Sequence, residues 1–307
     1  MGFSIQWHKF KFNHDQPELF LTSQWTFDHG RNVGTLFVIY KLLVFLFALV
    51  NYALNLAHHE DPGYFLIYMT NQGITILLMD QVIATGLVLH AKICGLSPST
   101  SDSSSTTCLV QALENKKPNQ PARPLPFLHK LSWVFTSLTW TTAVFITIFY
   151  WSILFDKSEQ SYFNVFVHGL NSVICFLDLL ITARPFRFHH VYVPLIFGVY
   201  YVIFSLIYYF AGGTNANGDP WIYVVLDWSK PGPSIGVVAL AAVGLIVIHA
   251  LVFGAYKLRV WIWNRCFNVD DQNSERQGFS ISDIESETGK RVYGGTDNPV
   301  FTISQNE

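Results

Sequence analysis

Long apolar stretches, separated by polar loops, dominate this chain. Six windows stand out, at residues 34–57, 64–90, 131–155, 161–183, 191–211 and 235–261. A helix rises about 1.5 Å per residue, so about 20 apolar residues cross the roughly 30 Å of bilayer hydrocarbon. Each window is long enough. The pattern predicts an all-α integral membrane protein built as a six-transmembrane-helix bundle. Trp and Tyr gather near the window ends, at Trp133, Trp151, Tyr200, Trp221, Trp228, Trp261 and Trp263, where amphipathic rings suit the headgroup layer.

The polar positions between the windows set an orientation. The loop after the second window carries Lys92, Lys116, Lys117, Arg123 and Lys130. Arg184 and Arg187 follow the fourth window, and Lys257, Arg259 and Arg265 mark the exit from the sixth. The intervening loops 58–63, 156–160 and 212–233 hold only Lys157 and Lys230 among their basic residues, against several acids. Lys and Arg are retained on the cytosolic side, so both termini are expected there, as an even number of spans requires. The chain then divides into a cytosolic N-terminal segment 1–33, a transmembrane domain 34–263 and a disordered acidic cytosolic tail 264–307. The transmembrane domain includes a flexible cytosolic loop 92–130 and an external cap loop 212–233. The Ser- and Pro-rich part of the flexible loop, like the tail, holds too little apolar surface to offset its ordering entropy.

Composition sharpens the picture. Half of the residues are hydrophobic and 13% are charged, against about 25% in a soluble domain. A net charge of −2 argues against a nucleic-acid partner, and the lipid bilayer is the implied one. Lys9, Lys11 and Asp15 speak against a cleavable signal peptide. Cys94 and Cys266 fall just past span ends on the expected cytosolic face and are candidates for palmitoylation. In the tail, Asn298-Pro299-Val300-Phe301 fits an Asn-Pro-x-aromatic turn, a candidate sorting motif for a cytosolic adaptor. His58-His59-Glu60-Asp61 and His189-His190 are compact, but adjacent loop residues do not set tetrahedral spacing, so neither metal nor cofactor is expected. His189-His190, beside Arg187, reads as an interfacial basic patch facing anionic headgroups.

Ionisable residues within spans are costly and face the bundle interior. Asp80 and Asp178 each lie about sixteen residues from the external ends of their spans, roughly 24 Å deep. Lys41 reaches a similar depth from the other side, so an ion pair with either acid is feasible. The set Lys41, Asp80 and Asp178 reads first as a structural polar network, which His249 is placed to join, and only secondarily as a part of an ion pathway. A second polar set lies nearer the external surface: Thr70, Asn71 and Gln72 in the second span, His168 and Asn171 in the fourth. A Thr hydroxyl beside a His is a nucleophile–base pattern, although polar residues in spans more often bond a neighbouring helix.

Several segments together resemble the rolling stone family. They are Ile67-Tyr-Met-Thr-Asn71, Leu170-Asn-Ser-Val-Ile-Cys-Phe-Leu-Asp-Leu-Leu180, Arg184-Pro-Phe-Arg-Phe-His-His190, Ala211-Gly-Gly-Thr-Asn215 and Leu226-Asp-Trp-Ser-Lys-Pro-Gly232. The resemblance spans roughly residues 20–265. It implies a multi-pass plasma-membrane protein, acting in myoblast fusion or muscle development, with membrane-protein partners reached through the external loops. A more distant similarity reaches the androgen-induced membrane hydrolases, which cleave fatty-acid esters of hydroxy fatty acids with an intramembrane Thr and His. It implies Thr70 as nucleophile. The matching His-Gly-x-His motif reads His168-Gly-Leu-Asn171 here, so Asn171 stands at the expected catalytic His position and His168 one turn earlier. An amide nitrogen is not basic near neutral pH. The expectation is therefore a non-catalytic protein, with a Thr70/His168 hydrolase as the alternative.

Overall fold

The computed structural model of the chain describes residues 10–14, 16–25, 33–59, 61–94, 125–155 and 162–290, with side chains from 164 to 266 in the last of these. The apolar windows form helices. They are α1 (Thr35–His58), α2 (Met69–Cys94) and α3 (Phe127–Phe149), the last continued by a π turn (Tyr150–Leu154). Next comes α4, made of an α-helical turn (Tyr162–Val165), a second π turn (Phe166–Leu170) and an α-helix (Asn171–Ile181). α5 (Tyr192–Phe210) and α6 (Pro231–Lys290) complete the set. Among the described residues the only extended pairing is an isolated bridge between Ser23 and Thr182. The chain is an all-helical membrane protein.

Five of these helices are long and apolar enough to cross a bilayer. The exception is the window at 161–183, where the apolar helix Phe166–Ile181 is shorter. Its early stop has a local cause. Thr182 turns to extended geometry, and both its N–H (3.0 Å) and its hydroxyl (2.8 Å) donate back to the Asp178 carbonyl. Pro185 follows, and a proline disfavours helix in the residue before it.

α1 packs on α2, α2 on α3, and α3 on α4 and α5. The main core gathers Ala48, Leu77, Trp140, Cys175, Leu179, Phe186, Leu245 and Ile248. The outward faces stay apolar, as Leu36 (83% exposed) and Ile207 (64%) show. Lipid tails are as apolar as these side chains, so this surface carries no hydrophobic penalty in a bilayer.

The N-terminal segment closes one end of the bundle. Its residues donate to the last carbonyls of α4, which have no partner inside the helix. Ser23 Oγ and Gln24 N both donate to Ile181 O at 2.8 Å, and Trp25 Nε1 donates to Leu180 O at 2.9 Å. In return, Ala183 N donates to Thr22 O at 3.0 Å. Phe12 and Phe20 meet Trp133 edge-on, and the Arg187 guanidinium lies 4.7 Å over the same indole. Trp133 is therefore fully buried and not an interfacial anchor. His190 is also buried, tilted against Phe12 at 4.0 Å, so the expected headgroup patch at His189-His190 is half lost to packing.

The cap closes the other end. Gly212 and Gly218 take φ values of 77° and 86°, where a side chain would be strained. Between them, Asn215 Oδ1 accepts from Asn217 N (3.0 Å) and Asp219 N (2.9 Å). Tyr208 OH donates to Thr214 O at 2.7 Å, and Trp228 Nε1 to Ser205 Oγ at 3.1 Å, fixing the loop to α5. The Asp227 carboxyl is held below the usual carboxylate range, first by the Ser229 hydroxyl that donates to it at 2.6 Å.

Two compact units result, Met1–Arg259 and Val260–Glu307. The second holds the end of α6, which runs to Lys290 through residues whose composition predicts a disordered tail. No proline between Pro233 and Lys290 interrupts the backbone ladder. Within this unit the Arg265 guanidinium lies 5.9 Å over the Trp261 ring. Cys94 and Cys266 are both exposed. Asn298, Pro299 and Phe301, and most of the flexible loop 92–130, lie outside the described residues.

Replacing Trp133 by Ala empties the most enclosed aromatic site and is expected to cost about 3–5 kcal/mol. The half-buried Trp151→Ala should cost far less. Thermal unfolding of the two purified variants in detergent checks the ranking, and equal midpoints would contradict it.

Candidate functional site

Two polar layers lie inside the bundle, and the helices that present them explain each. The layer nearer the N-terminal segment is charged. Lys41 of α1 donates to Gln81 Oε1 of α2 at 2.8 Å and to Asp178 Oδ1 of α4 at 3.0 Å. Tyr40, one residue earlier, also donates to Asp178 Oδ1, at 3.2 Å. Gln81 Nε2 passes the chain on to Asp80 Oδ2 at 3.2 Å. Asp80 Oδ1 accepts from Thr136 Oγ1 of α3 at 3.0 Å and from Arg184 Nη1 at 3.4 Å. Arg184 Nη1 also reaches Thr136 Oγ1 at 2.6 Å. The three intramembrane ions thus share one network, with Lys41 on Asp178 and Asp80 on Arg184.

A third cation completes the layer. Arg259 of α6 donates to the carbonyls of Leu179 and Thr182, and at 3.0 Å to Arg184 O. A cation at a helix C-terminus opposes the negative end of the macrodipole, here that of α4. Lys41, Asp80, Gln81, Thr136, Asp178, Arg184 and Arg259 are each no more than 1% exposed. Arg184 and Arg259 occupy positions whose sequence context suggests a cytosolic loop and a span exit. A signal for Arg184 was its place directly before Pro185, six residues after Asp178. His249 stays apart, engaging Thr141 Oγ1 at 2.9 Å and the Arg187 carbonyl at 3.3 Å.

The layer nearer the cap is neutral. Asn71 Nδ2 donates to Phe65 O (2.9 Å) and Gln72 Nε2 to Leu66 O (2.8 Å), carbonyls of the short 3₁₀ turn Pro62–Ile67 that leads into α2. Asn51 of α1 donates to Asn171 Oδ1 at 2.6 Å, while Asn171 Nδ2 donates to Val167 O at 2.7 Å. The motif position expected to hold a catalytic His therefore holds an amide that bridges two helices through donor and acceptor at once. Imidazole offers no such pair of groups at one end.

His168 lies in the π turn of α4 and Tyr150 begins the π turn of α3. Their rings stack at 3.5 Å with only 7° between planes. A π turn displaces carbonyls from the regular ladder, and the Thr147 hydroxyl takes up that of His168. Thr147 also meets Ser172 Oγ, which donates to Ala143 O at 2.8 Å. His168 Nδ1 is buried with no hydrogen-bond partner among the described residues.

Thr70 and His168 both border a cavity of about 10 Å³, but no hydrogen bond joins them among the described residues. The Thr70 hydroxyl instead sits beside Tyr223 of the cap, whose hydroxyl accepts from Met69 N–H at 3.0 Å. Burial raises the Tyr223 phenol to about 12, with hydrogen bonds from Thr70 opposing. It stays protonated at physiological pH. Tyr201 of α5 lies next to it and donates to Ile67 O at 2.9 Å. Asn51, Thr147, Ser172, Tyr201 and Tyr223 are among the members of this layer that sequence spacing missed, and the two tyrosines come from elements far from α2. No group of three or more metal-ligating side chains occurs among the described residues.

Comparison with known proteins places this architecture among relatives. A family model described as "Protein rolling stone" matches residues 2–274. The protein of that name from Drosophila melanogaster is 29% identical over 271 residues, covering 86% of this chain and 91% of its own. No solved structure matches the chain.

Breaking one partner of a buried pair leaves an uncompensated charge and costs about 3–5 kcal/mol. Lys41→Met and Asp178→Leu are each expected to lose that much, and the double variant to recover most of it. Unfolding of the three variants in detergent closes the cycle. A double variant that loses the sum of the two singles would deny the pairing its role.

Proposed function

The chain belongs to the rolling stone family, and from that premise we propose that it is a six-span plasma-membrane protein acting in cell–cell fusion, as in joining myoblasts or building muscle, by contacts and not by catalysis. Both termini face the cytosol in this reading, and the short helix α4 serves as the sixth span. The basic loops on the side of the termini support the orientation, because Lys and Arg resist translocation. α4 crosses in company. It ends on Arg259 and the N-terminal segment, so its last carbonyls need no lipid-exposed partner.

The observation that carries the reading is the built cap. Residues 211–230 are tied to α2 by Tyr223 and to α5 by Tyr208 and Trp228. They still present Ala216, Asn217, Gly218 and Val224 outward. Loops held by a rigid scaffold are where binding residues concentrate. A membrane-protein partner on the facing cell would meet this surface. A cytosolic adaptor would meet the tail at Asn298, Pro299 and Phe301, and palmitoylation of Cys94 and Cys266 would add anchoring on the same side.

Content mixing between myoblasts lacking the protein, rescued by variants, tests the reading. Val224→Glu, at a residue 68% exposed, is expected to abolish rescue while reaching the surface normally. Thr70→Ala and His168→Ala should rescue as the wild type does. The opposite pattern, together with hydrolysis of hydroxy-fatty-acid esters by the purified wild type, would replace contact by catalysis. An epitope at Asn217 should stain intact cells, and one at the N-terminus only permeabilised cells; reversed staining would overturn the orientation.

A further inference from the structure

Under the cap lies a larger cavity, of about 230 Å³, bordered by α2, α3, α5, α6 and the cap itself. Among its lining residues only Thr70, Tyr150, Tyr201 and Tyr223 carry a polar side-chain group. Three of these gather at the cap end, where Tyr201 meets Ile67 O and Tyr223 meets Met69 N. Apart from Tyr150, the rest of the wall offers no polar side-chain group. A buried water needs two to four, and an apolar cavity of about 150 Å³ stays dry and takes benzene. This space is larger, and its chemistry calls for hydrocarbon.

The wall also opens sideways. Val199 and Ile203, one turn apart on α5, line the cavity and are 59% and 52% exposed. They lie within an apolar spanning helix whose neighbouring outward residues, Ile196 and Ile207, are likewise exposed. The solvent at that opening is lipid. α6 contributes the small residues Ala241 and Ala242 to the wall, beside Val237, Val238 and Leu245.

We propose that this cavity holds one ester-linked acyl chain of a bilayer lipid, which enters past Val199 and Ile203 and turns its ester carbonyl toward the Tyr223 hydroxyl. A phenol oxygen that accepts from Met69 N–H keeps its own proton to donate. An ester carbonyl supplies the acceptor, and the chain below it fills the apolar wall. No bond is made or broken.

The test uses the full-length protein in phosphatidylcholine vesicles carrying a trace of phosphatidylcholine with a photoactivatable diazirine midway along one acyl chain. After illumination, labelled residues are mapped by mass spectrometry. Labelling of the α6 segment 237–242 is expected, saturable by added methyl palmitate. Ala242→Phe should lower it about tenfold, which corresponds to a tenfold weaker site, while leaving outward labelling at Ile196 and Ile207 unchanged. Tyr223→Phe should reduce the labelling severalfold and abolish the preference for the ester lipid over its ether-linked analogue. The competition by methyl palmitate is read on the wild type, so it stands even where a variant fails to fold. Labelling confined to the outward face of α5, not competed by methyl palmitate, would mean surrounding lipid only and would overturn the proposal. Equal labelling by ester and ether lipids would overturn the role given to Tyr223.

Discussion

Charge buried in hydrocarbon must find its counter-charge and its hydrogen bonds inside the protein, because lipid supplies neither. In this molecule that requirement organises one end of the bundle. Lys41 on α1 needs Asp178 on α4 and Gln81 on α2; Asp80 needs Thr136 on α3 and Arg184 beyond α4. Each helix carries part of what another must have. Apolar helices in lipid gain little by touching one another, so packing and polar contacts decide register. A one-residue rotation of α1 would carry Lys41 away from both partners and leave an unpaired ammonium inside. The short α4 fits the same logic, since its unfinished carbonyls are met by Arg259, Ser23, Gln24 and Trp25. The N-terminal segment is therefore structural, although its composition reads as a polar lead-in.

The other end of the bundle obeys a milder form of the constraint. Its polar groups are neutral, and most of them serve backbone left over by irregular turns. Asn71 and Gln72 satisfy the 3₁₀ entry to α2, and Thr147 satisfies the π turn of α4. This decides how His168 and Thr70 are read. Both sit near irregular backbone, a setting often functional, yet each has a structural engagement, His168 against Tyr150 and Thr70 beside Tyr223. A nucleophile–base pair is recognised by the contact between its members; these two border one small cavity, and no hydrogen bond joins them among the described residues.

Much of the architecture could be read from the residues, because its signal is local. An apolar run of more than 20 residues is one statement about one helix, and five of the windows became such helices. Equal depth also brought Lys41, Asp80 and Asp178 into one layer. What escaped was information distributed over the chain. Arg184 has the sequence setting of a headgroup-facing loop residue, and only the fold shows Asp80 waiting for it from 104 positions away. Trp133 resembles an interfacial anchor until Phe12, Phe20 and Arg187 cover it. Tyr223 joins Thr70 across 153 positions of sequence, a distance that no spacing rule spans. The fourth window misled for a different reason. Hydropathy counts residues, and it does not see that Thr182 bonds back to Asp178 and ends the helix early.

The contrast between the two ends has a consequence for how the molecule can move. At the charged end, a displacement of about 2 Å breaks several hydrogen bonds at once and exposes ions to a medium that cannot solvate them. The cost is steep, so this end resists displacement. At the cap end, α5 and α6 flank a mostly apolar space whose polar contacts are confined to Tyr201 with Ile67 O and Tyr223 with Met69 N. The ties there are neutral hydrogen bonds, each weaker than a buried ion pair: Tyr223 to Met69, Tyr201 to Ile67, Tyr208 to Thr214, Trp228 to Ser205. Of these ties, the one from Tyr223 to Met69 borders the space, because both residues belong to the cavity wall.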